Sequence, residues 1–170
     1  MAAFVYLDKE DFPELAPELF QLMMDNMDTI APSGKAREEE FKWWFREVGA
    51  GLRAPARQIL LIRQSGTGSL IGFLQYYTNQ TTFMIEELQL LPQWQGTAGV
   101  LKKLFGFLLA NMPSELRYVE AFVHRGNTRS LALQKKLGMQ IVGTAQEDTL
   151  YHLRGDFSEF ANWYYSRRDR

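Results

Sequence analysis

The chain has 170 residues, 46% of them hydrophobic and 23% charged, a size and balance that fit one globular domain with a core of its own. Its net charge of −1 forces no basic face, which argues against a dedicated nucleic-acid binder. It has no cysteine, so disulfides, thiolate chemistry and cysteine-metal sites are excluded.

The start, Met1-Ala2-Ala3-Phe4-Val5-Tyr6, lacks the basic segment and long apolar run of a signal peptide, and no apolar run reaches membrane-spanning length. A cytoplasmic protein without a membrane partner is the expectation. Residues 4–8 are expected as a short strand. From Glu14 to Asp28, Leu15, Leu19, Leu22, Met23 and Met27 recur at helical spacing, and Ala31-Pro32-Ser33-Gly34 breaks the pattern. A second helix is expected from Lys35 to Gly49 or Gly51. It carries Trp43-Trp44-Phe45, which suit core packing or the wall of an acceptor pocket. Gln58 to Arg63, the turn Ser65-Gly66-Thr67-Gly68, Leu70 to Tyr77 and Thr81 to Leu90 read as a three-stranded meander.

Val100, Leu101, Leu104, Phe105, Leu108 and Leu109 line one face of the next helix, which Asn111-Met112-Pro113 stops. Tyr118 to His124 is a nearly continuous apolar run, expected as a strand buried on both faces. Asn127 suits a helix N-cap and Gly138 the position past a helix end. Gln140 to Ala145 and Thr149 to Arg154 suggest a final strand pair. Asp156 would cap a last helix holding Phe157, Phe160, Ala161 and Tyr164. The order predicts a single α/β (α+β) domain over residues 1–170. Its sheet is mixed and mostly antiparallel, of about seven strands flanked by helices, with one parallel strand–helix–strand crossover.

Two blocks carry chemistry. The first is Leu90-Leu91-Pro92-Gln93-Trp94-Gln95-Gly96-Thr97-Ala98-Gly99-Val100, a small-residue turn that opens a helix directly after a strand. The backbone N–H groups of such a turn, with the positive end of the helix behind them, suit phosphate oxygens. The second is Asn127-Thr128-Arg129-Ser130 followed by Gln134, Lys136, Gly138 and Met139.

Together these blocks resemble the GNAT superfamily of acyl-CoA-dependent N-acyltransferases. Its pattern after the fourth strand is V-x-P-x-Y-[RQ]-G-x-G-x-[GA]. Leu90, Pro92, Trp94, Gln95 and Gly96 fit it, while Ala98 and Val100 stand where glycine or alanine is preferred. In the family's second block, N-x-x-[SA]-x-x-x-[YFH]-x-K-x-G-[FM], Asn127, Ser130, Lys136, Gly138 and Met139 fit and Gln134 replaces the usual tyrosine. The likeness is specific over residues 81–145 and loose before them.

The resemblance implies coenzyme A as co-substrate, acetyl-CoA in an acetyltransferase, with no metal. Its pyrophosphate would lie on Gln95, Gly96, Thr97, Ala98, Gly99, Val100 and Leu101. Its pantetheine arm would run along main-chain groups of Leu88, Gln89 and Leu90. A bulge at Leu90-Leu91 would aim an N–H at the thioester oxygen. Asn127 and Ser130 would touch the pantetheine or the adenosine side, or Asn127 would simply cap its helix. Arg125, Arg129, Lys102 and Lys103 are candidates for the 3′-phosphate. The acceptor amine must lose a proton, and Glu86 or Glu87 would take it. Being adjacent, the two face opposite sides of their strand, and Glu86 shares parity with Leu88 and Leu90.

The family's tyrosine would protonate the departing thiolate, which Gln134 cannot do because an amide is not a useful acid. Water, Tyr118 or Tyr151 could stand in. His124 and His152 have no metal-ligand spacing and read as core or surface residues. The expected activity is transfer of an acetyl group to a primary amine on a small molecule or peptide. A non-catalytic acyl-CoA-binding or interaction module on the same fold is the alternative, and a homodimer is among the assemblies the resemblance allows.

Overall fold

A computed structural model describes residues 1–97 and 99–166. The strands are β1 (Ala2–Tyr6), β2 (Arg57–Gln64), β3 (Leu70–Thr78), β4 (Thr82–Leu90), β5 (Tyr118–His124), β6 (Gln140–Ala145) and β7 (Leu150–Asp156). The helices are α1 (Phe12–Met27), α2 (Arg37–Gly51), α3 (Val100–Asn111), α4 (Thr128–Lys136) and α5 (Phe157–Tyr165). The strands are hydrogen-bonded in the order β1-β2-β3-β4-β5-β7-β6. Pairs β1–β2, β5–β7 and β6–β7 are antiparallel, and β4–β5 is parallel. This is the mixed, mostly antiparallel seven-stranded sheet with flanking helices that the sequence predicts.

Two compact units make up the chain: one of Met1–Tyr76 with Glu87–Thr97, the other of Tyr77–Glu86 with the described residues after Thr97. In the first, the apolar stripe of α1 buries Phe12, Ala16, Leu19, Phe20, Leu22 and Met24. Phe12 and Phe20 meet Trp44 of α2 at 5.7 and 5.4 Å between ring centres, and Phe20 meets Phe41 edge-on at 5.2 Å. Of the Trp43-Trp44-Phe45 run, Trp44 is core, 7% exposed, and Trp43 is 59% exposed. Helical geometry sends consecutive side chains in directions too different for both to reach one core.

In the second unit, Phe105 of α3 packs edge-on against Phe160 of α5 at 5.0 Å, and Phe160 lies 5.9 Å from Phe83 of β4. Phe83 of β4 thus faces α5. On β5, Val119, Ala121 and Val123 are buried, while Tyr118, Glu120, Phe122 and His124 are half-buried or exposed. β5 is a central strand as expected, but only one of its faces is fully buried: on the other, Phe122 is exposed and Tyr118, Glu120 and His124 are half-buried. Several boundaries also move. β1 lies at Ala2–Tyr6, two residues before the expected 4–8. α1 begins two residues earlier than its periodicity suggests, with a proline in its first turn, α2 begins at Arg37 rather than Lys35, and β7 runs on to Asp156.

Candidate active site

After β4 the first unit makes a short 3-10 turn at Pro92–Trp94, followed by Gln95 and by Gly96 at φ +74°. The Thr97 N–H reaches back to the Trp94 carbonyl at 3.4 Å. Ala98 lies outside the described residues. In the second unit, Gly99 caps α3 at φ +101°, a backbone state that residues with a side chain rarely adopt. A cap without a side chain leaves the N–H groups of the first turn to other acceptors. Val100 is 5% exposed, its side chain in the core. It therefore presents only its amide at the helix start, which explains how valine stands where the family pattern prefers a small residue.

α3 differs from α1 and α2 in the charges of its first turn, and shares with α4 the lack of an acid there. α1 and α2 carry acids there, Glu14 in one and Glu38, Glu39 and Glu40 in the other, as the helix dipole favours. α3 has no acid there and instead Lys102 and Lys103. Cations at a helix N-terminus are unfavourable unless an anion joins them. The residues present thus fit a phosphate-bearing ligand: an uncapped helix start, glycine at the cap and two lysines nearby.

The adjacent carboxylates of β4 part company. Parallel pairing with β5 runs from Thr82↔Tyr118 to Ile85↔Ala121. The next residue on each strand, Glu86 and Phe122, borders a cleft of about 220 Å³ that Tyr77, Met84 and Ile85 also line. Since Phe83 points at α5, strand alternation puts Met84 and Glu86 on the face away from that helix. Glu87 belongs to a chain of side-chain amides in the first unit. Its carboxylate accepts from Gln89 Nε2, and Gln89 Oε1 accepts from Asn26 Nδ2 at 2.8 Å. Asn26 Nδ2 also donates to the Leu90 carbonyl at 2.9 Å. Gln95 Nε2 donates to the same carbonyl at 2.9 Å and to Asn26 Oδ1 at 3.4 Å.

This network revises several expectations. With two side-chain donors on it, the Leu90 carbonyl is already taken and is not the group that a pantetheine arm would meet. The Leu91 N–H donates to the Ile71 carbonyl at 2.9 Å, so it is not the oxyanion donor of that pair. Gln95 turns its side chain back on β4. Gln89 is buried and its amide is matched at both ends. Leu88 lies half-buried between them. Nothing in the sequence singles out Asn26, which sits near the end of α1 more than sixty positions before its partners. Asn26→Ala leaves Gln89 Oε1 and the Leu90 carbonyl each short of a donor. The expected loss is about 1–3 kcal/mol of stability, read by urea unfolding.

In the second block, Asn127 Oδ1 accepts the Ser130 N–H at 3.0 Å, the N-cap bond of α4. This is its capping role, which a contact with the ligand can accompany. Ser130 is half-buried beside it, and Gly138 at φ +88° follows the helix. Gln134 is 4% exposed, and its Oε1 has no hydrogen-bond partner among the described residues. Gln134→Leu removes that buried unpaired group and should raise stability by about 1 kcal/mol, measured by denaturant midpoint. A fall in turnover in the same variant would assign the amide to the ligand.

Tyr118 and Tyr151 lie beneath guanidinium groups: Arg154 is 4.0 Å from the Tyr118 ring centre and Arg125 4.8 Å from that of Tyr151. Buried Tyr76 shares a 2.9 Å hydrogen bond with Tyr6. Burial first, then that bond, push its phenol far above the usual range, so it keeps its proton. His124 Nδ1 accepts the Gly126 N–H at 3.0 Å, a turn contact, and His152 pairs with Glu120 at 3.1 Å. Among the described residues no cluster of metal-ligating side chains occurs, and no helix is long and apolar enough to cross a membrane.

No family model and no curated protein sequence matches the chain. Solved structures do. An acetyltransferase from Thermus thermophilus superposes with a TM-score of 0.69 at 17% identity, over 92% of this chain and 97% of that one. PaiA N-acetyltransferase from Thermoplasma acidophilum, in complex with coenzyme A, gives 0.64 at 15% identity over 92% and 99%. Spermidine N-acetyltransferase from Vibrio cholerae, with coenzyme A and spermine, gives 0.61 at 14% over 95% and 98%. The class defined is that of α/β proteins built on the acetyltransferase sheet. More narrowly, this chain has the GNAT fold.

Proposed function

We propose that this chain is an acetyl-CoA-dependent N-acetyltransferase acting on a primary amine. The observation that carries the reading is the place of Glu86. It borders a cleft just past the last β4–β5 pair, on the face opposite α5, while α3 begins at a glycine with no side-chain cap, followed in the first turn by Lys102 and Lys103. A carboxylate and a phosphate-binding turn are the two parts that amine acylation by a coenzyme A thioester needs. The coenzyme A complexes of the Thermoplasma and Vibrio proteins support the same ligand.

Coenzyme A would bring the acyl group as a thioester, in which an amide C–N bond replaces the C–S bond and the electron pair leaves on sulfur. The N–H groups at the start of α3 would hold its phosphates, with Lys102 and Lys103 adding charge. Glu86 would accept the amine proton, and solvent would protonate the sulfur, since Gln134 has no proton to give. That missing phenol is the observation favouring the second reading, a non-catalytic acyl-CoA-binding module. Calorimetry with coenzyme A, followed by thiol release from acetyl-CoA in the presence of amines, separates the two. Binding with turnover supports the enzyme, binding without turnover the module, and no binding overturns both.

A further inference from the structure

The cleft beside Glu86 has walls of one chemical kind. Tyr77 of β3 and Phe122 of β5 bring aromatic rings, Met84 and Ile85 bring apolar surface, and Glu86 is the charged member of the five. Its volume of about 220 Å³ lies below the range of about 300–1,000 Å³ typical of sites for drug-sized ligands, so it suits a small molecule or the end of one.

Phe122 is 43% exposed, yet its position is built. Its ring stacks on His152 at 4.6 Å with the planes 14° apart. His152 Nε2 lies 3.1 Å from Glu120 Oε2, and Glu120 Oε1 takes Arg154 Nε at 2.7 Å. The Glu120 carboxylate faces these two partners, and Glu86 is the carboxylate that borders the cleft.

Resting on the acetyltransferase reading above, we propose that the acceptor is a small primary amine on an aryl or branched alkyl body. It carries one positive charge and no carboxylate beside the amine, and Phe122 sets this preference. The ammonium is drawn to Glu86 and to the ring faces of Tyr77 and Phe122 before it yields its proton. The body buries apolar surface against the rings and Met84, whose thioether adapts to their edges. An amino acid would bring its carboxylate next to Glu86, with no cation among the five lining residues to offset it. A polyamine would offer the rings only a thin methylene chain, and would find no second carboxylate among those five for its next ammonium.

The test is thiol release by the full chain at saturating acetyl-CoA, with phenethylamine, isopentylamine, spermidine and glycine. The first two should show kcat/KM at least about tenfold above the others, the scale on which apolar pockets discriminate. Phe122→Ala should raise KM for phenethylamine about tenfold with a smaller effect on kcat, and leave KM for acetyl-CoA unchanged. Phe122→Leu, which keeps an apolar side chain on β5, should be intermediate and serves if the alanine variant misfolds. A preference for spermidine or glycine overturns the inference and leaves the acetyltransferase reading intact. Silence with all four amines while calorimetry shows acetyl-CoA bound also overturns the inference, and favours the non-catalytic acyl-CoA-binding reading. Absence of acetyl-CoA binding removes the acetyltransferase reading itself.

Discussion

Gly99→Glu is expected to weaken coenzyme A binding about a hundredfold relative to Gly99→Ala, as measured by calorimetry. Both variants place a side chain at φ +101° and share a backbone cost of about 1–3 kcal/mol. Neither meets protein atoms at its Cβ, because nothing lies within 4 Å of that position. What separates them is a carboxylate at the start of α3, where the phosphates are assigned. Two charges about 5 Å apart at an effective dielectric of about 20 repel by about 3 kcal/mol. At 1.4 kcal/mol for each tenfold, that is about two decades of affinity. Added salt should narrow the gap, since the repulsion is screened near the surface. Equal affinity of the two variants, both folded by circular dichroism, would move the phosphates away from α3.

Where the sequence could be read, local signals were strong. Tyr118 to His124 is a strand over the expected residues because β-branched and aromatic side chains dominate it. Asn127 and Gly138 mark the ends of α4 because a side-chain oxygen and a left-handed backbone are each needed at one place. The α3 cap is legible for the same reason.

What could not be read depends on residues distant in sequence. Counting Tyr118, Phe122 and His124 as apolar hides the alternation that leaves one face of β5 only partly buried. Counting them as amphipathic would have exposed it. Strand parity says that Glu86 and Glu87 face opposite ways, but the choice of face is made by Phe83 against Phe160, late in the chain. The capture of Glu87 through Gln89 and Asn26 is longer in range still and has no local pattern. Gln134 looks like one polar residue among Arg129, Lys135 and Lys136 on α4. Tertiary packing alone makes it the buried side chain of that helix.

Glu86→Gln is expected to lower kcat by about 10²–10⁴-fold, the range for a general base, with KM for acetyl-CoA unchanged. The pH profile carries the mechanism. With the base present, an ammonium can bind and give up its proton in place, so the rate stays level while Glu86 is ionised and the acceptor protonated. Without it, only amine that is already neutral reacts. The residual rate should then rise about tenfold per pH unit toward the acceptor's own pKa, about 10.4 for an alkylamine of the lysine type. Glu87→Gln should be mild by contrast, because the amide oxygen at position 87 can still accept from Gln89 Nε2. The reverse pattern, a severe and pH-steepened loss in Glu87→Gln with Glu86→Gln near wild type, would transfer the base to the network residue. It would leave Glu86 with no more than an electrostatic part in the cleft.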